Sequence, residues 1–88
     1  MKSLFRSSFL RDVRKIRDKR VLASVREVIE SIERADNLSE VRNVRRLSGS
    51  KSFYRVRLGD YRIGLVVEGD AVEFVRCLHR RDIYRYFP

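Results

Sequence analysis

The chain's only histidine opens its most chemically equipped stretch, His79-Arg80-Arg81-Asp82-Ile83-Tyr84-Arg85-Tyr86-Phe87. An imidazole moves protons near neutral pH, guanidinium groups stabilise the crowded charge of a phosphate, and a phenol can hydrogen-bond or stack on a base. Upstream, Arg55 and Arg57 alternate with apolar residues, and Arg62 follows just after Gly59-Asp60. Together these groups suit the handling of a phosphodiester. Competing chemistries find little to work with. One His and one Cys cannot supply a zinc site, and there is no Gly-rich phosphate loop. Cys77 beside His79 lacks the third member of a nucleophilic triad and reads as an ordinary half-buried thiol. Neither a metal nor a cofactor is expected.

What must position these groups is a set of strands. Phe53–Leu58, Tyr61–Val67 and Ala71–Leu78 are rich in aromatic and β-branched residues and are separated by Gly59-Asp60 and Glu68-Gly69-Asp70. A two-residue Gly59-Asp60 turn sets Leu58 opposite Tyr61, Arg57 opposite Arg62, Val56 opposite Ile63 and Arg55 opposite Gly64. Tyr54, Val56, Leu58, Tyr61, Ile63 and Leu65 then share a core face, and Arg55, Arg57 and Arg62 share the other. A regular Gly69-Asp70 hairpin pairs Val67 with Val72, Leu65 with Phe74, Gly64 with Val75 and Arg62 with Cys77. On that count Glu73, Val75, Cys77 and His79 extend the basic face, while Arg76 falls awkwardly among apolar residues, signalling a rim position or a bulge. Arginines facing each other across a sheet are unfavourable unless an anion relieves them. A solvated polar sheet face would account for the same alternation.

Before the strands, residues 2–6 suit a short strand. Ser7 or Ser8 offers an N-cap for a helix with Phe9, Leu10, Val13 and Ile16 on one face. Lys19 to Ala35 reads as a second helix through Val21, Val25, Val28, Ile29 and Ile32, with Asp36-Asn37 as its stop. Val44–Leu47 suits a brief strand, Ile83 and Phe87 an anchor for a polar C-terminal segment. The expected fold is α+β: an N-terminal strand and two helices packed on one face of a small antiparallel sheet, one domain over residues 1–88.

The composition agrees with an anionic partner. Lys+Arg number 21 against 12 Asp+Glu, a net charge of +9, and 17 of the 21 are arginine. Arginine is favoured where planar, bidentate contact with phosphate or carboxylate matters. A lone cysteine and the absence of a signal-like start or a run of ~18 apolar residues point to the cytoplasm and away from membranes.

Three segments carry a family resemblance: Arg46-Leu47-Ser48-Gly49, Phe53-Tyr54-Arg55-Val56-Arg57-Leu58-Gly59-Asp60-Tyr61-Arg62-Ile63 and His79-Arg80-Arg81-Asp82-Ile83-Tyr84. The chain resembles the RelE/ParE toxins of type II toxin–antitoxin systems along essentially its whole length. The resemblance implies a ribosome-dependent mRNA endoribonuclease (an mRNA interferase), in which a ribose 2′-hydroxyl attacks the adjacent phosphorus. It implies Arg62 on the scissile phosphate, Arg80 near the leaving group and Tyr84 stacked on a base. It also implies Arg55 and Arg57 in RNA contact, with Arg81 beside them, and His79 near a catalytic histidine of some relatives. One RelE pattern has lysines where this chain has Arg55 and Arg57. Arginine is a poor general base, so the expectation for proton transfer moves to His79. The alternatives are a ParE-like protein that inhibits DNA gyrase by binding, and a degenerate member that only binds its antitoxin and represses its operon. Each implies a cognate antitoxin, acidic where it crosses the basic face and partly disordered until bound, in a toxin–antitoxin hetero-oligomer.

Overall fold

The computed structural model describes all 88 residues. Strand β1 (Lys2–Phe5) leads into helices α1 (Ser7–Arg14) and α2 (Lys19–Arg34) and a 3-10 turn at Leu38–Glu40. Strands β2 (Val44–Arg46), β3 (Phe53–Leu58), β4 (Tyr61–Glu68) and β5 (Ala71–His79) follow, then helix α3 (Arg80–Tyr86). The sheet order is β1-β5-β4-β3-β2. β1 runs parallel to β5 and the other pairs are antiparallel, so the sheet is mixed rather than wholly antiparallel. No helix is long and apolar enough to cross a membrane.

The two N-terminal helices cover one sheet face. Phe9 from α1 and Val25 and Ile32 from α2 close over Val56, Ile63, Leu65, Val72, Phe74 and Cys77, all buried. Phe9 and Phe5 pack against Phe74 with ring centroids 5.3 and 5.0 Å away. Asp18 caps α2 by accepting from the Arg20 amide at 2.8 Å. The stop differs from expectation. Asn37 is extended (φ −153°) and caps the 3-10 turn, and Asn43 is the asparagine with a positive φ, 64°. Ser7 and Ser8 lie inside α1, whose cap position is Arg6.

The β3–β4 hairpin has the expected register, from Leu58 opposite Tyr61 to Tyr54 opposite Leu65. Gly59 and Gly69 each hold φ near 60° at the first central turn position, the conformation glycine supplies in type II′ hairpins. β5 departs from the regular count. Val67–Val72 and Leu65–Phe74 pair as expected, but a bulge leaves Val75 unpaired and sets Gly64 opposite Arg76. Beyond it, Ile63 faces Cys77, Arg62 faces Leu78 and Tyr61 faces His79. One extra residue exchanges the two faces for everything downstream. Cys77 is therefore in the core at 2% exposure, not half-buried on the basic face. His79 likewise falls on the helix-covered face rather than beside Arg62.

The bulge is held by α1. β1 ends at Phe5, leaving the outer edge of β5 without a neighbouring strand beyond Phe74. The Arg6 amide donates to the Phe74 carbonyl at 3.0 Å, and the Ser8 hydroxyl to the Val75 carbonyl at 2.6 Å. Asp12, 6% exposed, accepts from the Cys77 amide at 3.0 Å and from both Nε (2.7 Å) and Nη2 (3.1 Å) of Arg76. That pairing raises the Arg76 guanidinium above its ordinary pKa, chiefly through the hydrogen bond to Asp12. Arg76 also lies 5.3 Å from the centroid of the Tyr86 ring. The awkward arginine of the regular count is thus an internal ion pair next to a bulge.

The segment expected to be a polar tail is helical. Ile83 (0% exposed) and Phe87 (4%) join Val66 and Val75 in a second, smaller core on the other sheet face. The Phe87 ring sits where a side chain at Gly64 would be, 2.6 to 2.8 Å from an ideal Cβ.

Two stability outcomes follow. Asp12→Ala leaves a buried amide and the Arg76 guanidinium without their acceptor. It should cost about 3 kcal/mol in denaturant titration, the low end for a broken buried pair because Arg76 stays 24% exposed. Asp12→Asn, which keeps an acceptor for Cys77, should lose less. Gly64→Ala should cost about 1–3 kcal/mol by overpacking against Phe87, with the α3 amides exchanging faster with deuterium. An unchanged α3 exchange pattern would contradict this account of the second core.

Candidate nucleic-acid interface

On the face away from α1 and α2, strands β2, β3 and β4 and helix α3 border a cleft of about 330 Å³. Its lining is Asn43, Val44, Arg45, Arg55, Arg57, Arg62 and Tyr84. Strand pairing explains why four arginines meet there. Arg45 lies opposite Arg55, and Arg57 opposite Arg62. No carboxylate lines the cleft, and the ion pairs of the protein lie elsewhere: Arg6–Glu73, Arg76–Asp12 and Arg80–Asp60. Like charges set across a sheet with no counter-ion repel, and a concave wall concentrates their field.

Arg62 is held by the turn before it, with Nη1 donating to the carbonyls of Gly59 (2.7 Å) and Tyr61 (2.8 Å). Its position is set before any ligand arrives. Arg55 lies 4.5 Å from the centroid of the Tyr84 ring, a cation–π contact that steadies an otherwise open side chain. Tyr84 is 72% exposed and presents ring and hydroxyl to whatever enters.

Of the residues singled out from the sequence, Arg55, Arg57, Arg62 and Tyr84 come together in this cleft. His79, Arg80 and Arg81 do not line it. His79 sits edge-on to Tyr61 at 5.9 Å and accepts through Nδ1 from the Arg81 amide (3.2 Å) and Nε (3.3 Å), capping α3. Arg80 attaches the start of α3 to the β3–β4 turn. Its amide donates to the Asp60 carbonyl at 2.7 Å and its guanidinium lies 3.9 Å from the Asp60 carboxylate. Asn43, Val44 and Arg45 are the lining residues that sequence reasoning did not place at the site. The alternation Val44-Arg45 was a signal, but the irregular segment up to Phe53 hides the pairing that brings Arg45 to Arg55.

The protein's place among known families follows at this point. A family model described as the ParE toxin of the type II toxin–antitoxin system parDE matches residues 4–84. The chain belongs to the RelE/ParE superfamily of toxins. It is 35% identical over 89 residues to Toxin RelE3 of Methanocaldococcus jannaschii, with 100% of each chain covered. The toxin fold in the RelB–RelE antitoxin–toxin complex from Methanococcus jannaschii superimposes with a TM-score of 0.82 at 33% identity, covering 97% of this chain and 99% of that one. The RelBE2 complex from Mycobacterium tuberculosis matches with a TM-score of 0.66 at 26% identity over 90% of this chain and 96% of that one. The YoeB dimer from Staphylococcus aureus, at 19% identity and a TM-score of 0.73 over 91% of this chain and 97% of that one, shares the fold.

Within this toxin fold Cys77 is not a nucleophile. Burial pushes its thiol up to about 12, with the nearby charge of Asp12 adding to the effect. The thiolate is the reactive form, so at pH 8 the native protein should resist iodoacetamide for hours while the urea-unfolded chain alkylates readily. Rapid native labelling, read by intact mass, would contradict both the burial and the register that produces it.

Proposed function

We propose that this toxin is an mRNA interferase: an endoribonuclease that cuts message on the ribosome and is silenced by a cognate antitoxin. The observation that supports it is the cleft of four uncompensated arginines, with Tyr84 over Arg55 at its mouth. A single RNA strand laid along it would place a phosphodiester among Arg55, Arg57 and Arg62 and a base against the Tyr84 ring. In the reaction the ribose 2′-oxygen bonds to phosphorus and the bond to the 5′-oxygen breaks. The 2′-hydroxyl gives up its proton and the departing 5′-oxygen gains one, leaving a cyclic phosphate and a free 5′-hydroxyl. Negative charge builds on the phosphoryl oxygens in between, and permanently charged guanidinium groups already in place stabilise it.

The cleft offers charge and stacking but no side chain that takes a proton at neutral pH. That division of labour suits an enzyme that is completed only on the ribosome, where other groups or an ordered water can accept it. His79 is assigned a positioning role, capping the helix that carries Tyr84. Arg80 holds the turn to which Arg62 is bonded, and Arg81 contacts RNA outside the cleft. Relatives solved as RelB–RelE complexes support an antitoxin partner in a hetero-oligomer. An acidic antitoxin segment crossing the four arginines would associate fast and in a salt-sensitive way.

Purified protein, ribosomes and message should yield codon-phased cuts. Arg62→Ala should slow cutting by about 10²–10³-fold, the usual loss for one transition-state donor, with an unchanged melting curve. Intact message at every dose would end this reading. A gyrase-inhibiting toxin of the ParE kind is the second reading, favoured by the missing proton acceptor. Loss of supercoiling activity without RNA cleavage would select it.

A further inference from the structure

The corner between α1 and α2 carries a second concentration of charge that the cleft does not use. Six of the ten residues from 11 to 20 are basic: Arg11, Arg14, Lys15, Arg17, Lys19 and Arg20. All six are exposed, and none is in an ion pair. Of the segment's two acids only Asp12 is turned inward, serving Arg76 and Cys77, while Asp18 stays exposed and is committed to capping α2. The corner therefore meets solvent as six cations around one capping carboxylate, Asp18.

At the start of α2 their placement works against the fold. Lys19 and Arg20 occupy the first turn of α2, where no acidic residue stands and where the helix dipole disfavours positive charge. Neither has an acid one turn on, since positions 22, 23 and 24 are Leu, Ala and Ser. At the end of α1 the dipole favours Arg11, Arg14 and Lys15 individually, but Arg11 repels Arg14 and Lys15 at helical spacings of three and four residues. Residues that break a local rule with no compensation in the fold mark a function.

We infer that the α1–α2 corner binds the phosphate backbone of folded, double-stranded RNA, independently of the cleft. The chemistry of the surface selects that partner. Within the segment, Val13 and Ile16 pack into the core and leave no apolar side chain exposed. Protein interfaces are built around buried aromatic or aliphatic anchors, and membrane-surface helices need an apolar face. Leu10, one residue upstream and 42% exposed, is a single side chain. Backbone recognition of a nucleic acid duplex needs cations and little else.

The corner also lies at the correct end of the molecule. Asp18 and Arg20 share a groove with Gly59, Asp60 and His79, so the β3–β4 turn separates it from Arg62 in the cleft. A duplex held there would leave the cleft free for a single strand of the same RNA particle.

The test compares the full chain with a corner variant (R14Q, R17Q, K19Q and R20Q together) and a cleft variant (R55Q and R57Q). Fluorescence anisotropy reads binding to a blunt RNA duplex and to a single-stranded oligonucleotide between 50 and 200 mM KCl, ranges of roughly the span over which phosphate contacts weaken. The corner variant should lose duplex affinity at least about tenfold, flatten the duplex salt slope by roughly 3, and keep its single-strand affinity. The cleft variant should do the reverse. The corner variant should melt at or above the parent's temperature, because its cations oppose the fold. Unchanged duplex binding, or a lowered melting temperature, overturns the inference. Tighter binding of the parent corner to an acidic peptide or to phosphatidylserine vesicles than to the duplex overturns the choice of RNA. Neither readout requires cleavage, so a catalytically silent protein can still pass.

Discussion

The buried carboxylate of Asp12 decides which side chains meet. It occupies the place a neighbouring strand would take along the outer edge of β5, accepting from the Cys77 amide and from Arg76. With the Ser8 hydroxyl on Val75, it lets β5 accommodate one extra residue while its edge groups there stay hydrogen-bonded. Because a strand alternates with period two, that residue sends Cys77 into the core and His79 to the helix side. Leu78 is brought opposite Arg62, onto the α3 side. A helix is thus the template for a strand's irregularity, and the irregularity sorts the chemistry.

The opposite face depends on a missing side chain. Gly64 stands next to the bulge and beneath the Phe87 ring, so the C-terminal segment can lie flat on the sheet. Ile83 and Phe87 hold α3 there, and the helix then presents Tyr84 to Arg55. The anchor Ile83 and the functional Tyr84 are neighbours on one short helix, and Phe87 pins the chain just beyond its end. The packing of this small second core, rather than of the main one, sets the geometry of the cleft mouth.

Much of this arrangement was legible from pattern alone. The β3–β4 register, and with it the grouping of Arg55, Arg57 and Arg62, follows from one Gly-Asp turn and strict alternation. The α+β class was readable for the same reason, since local rules and tertiary structure agree over residues 53–67, whereas the superfamily was legible only through the resemblance of three segments to known toxins. Three things were not. The parallel pairing of β1 with β5 depends on contacts over nearly seventy positions of sequence, such as Lys2 with Ala71, and a four-residue strand carries no mark of its partner's direction. The bulge at Val75 depends on Asp12, a charged residue whose burial no helical period announces. Its one trace was Arg76 landing on an apolar face. Arg45 was hidden because the segment between β2 and β3 follows neither the helical nor the strand period.

The arginines divide into two populations, and the division explains how so basic a chain folds. Arg6 and Arg76 are consumed by Glu73 and Asp12, and both guanidinium groups are held above their ordinary pKa chiefly by those hydrogen bonds. These lie where the chain needs a fixed crossing: Arg6 at the end of β1, Arg76 at the bulge. The cleft arginines and the α1–α2 corner remain without counter-ions and repel one another, lowering the stability of a domain with only two small cores. An anion that binds the folded chain and not the unfolded one reverses that effect, adding stability as its concentration exceeds its Kd. The charges that weaken the free protein are therefore the ones that make its bound state stable, and salt should act on both in opposite senses: screening repulsion in the free chain while weakening its hold on an anionic partner.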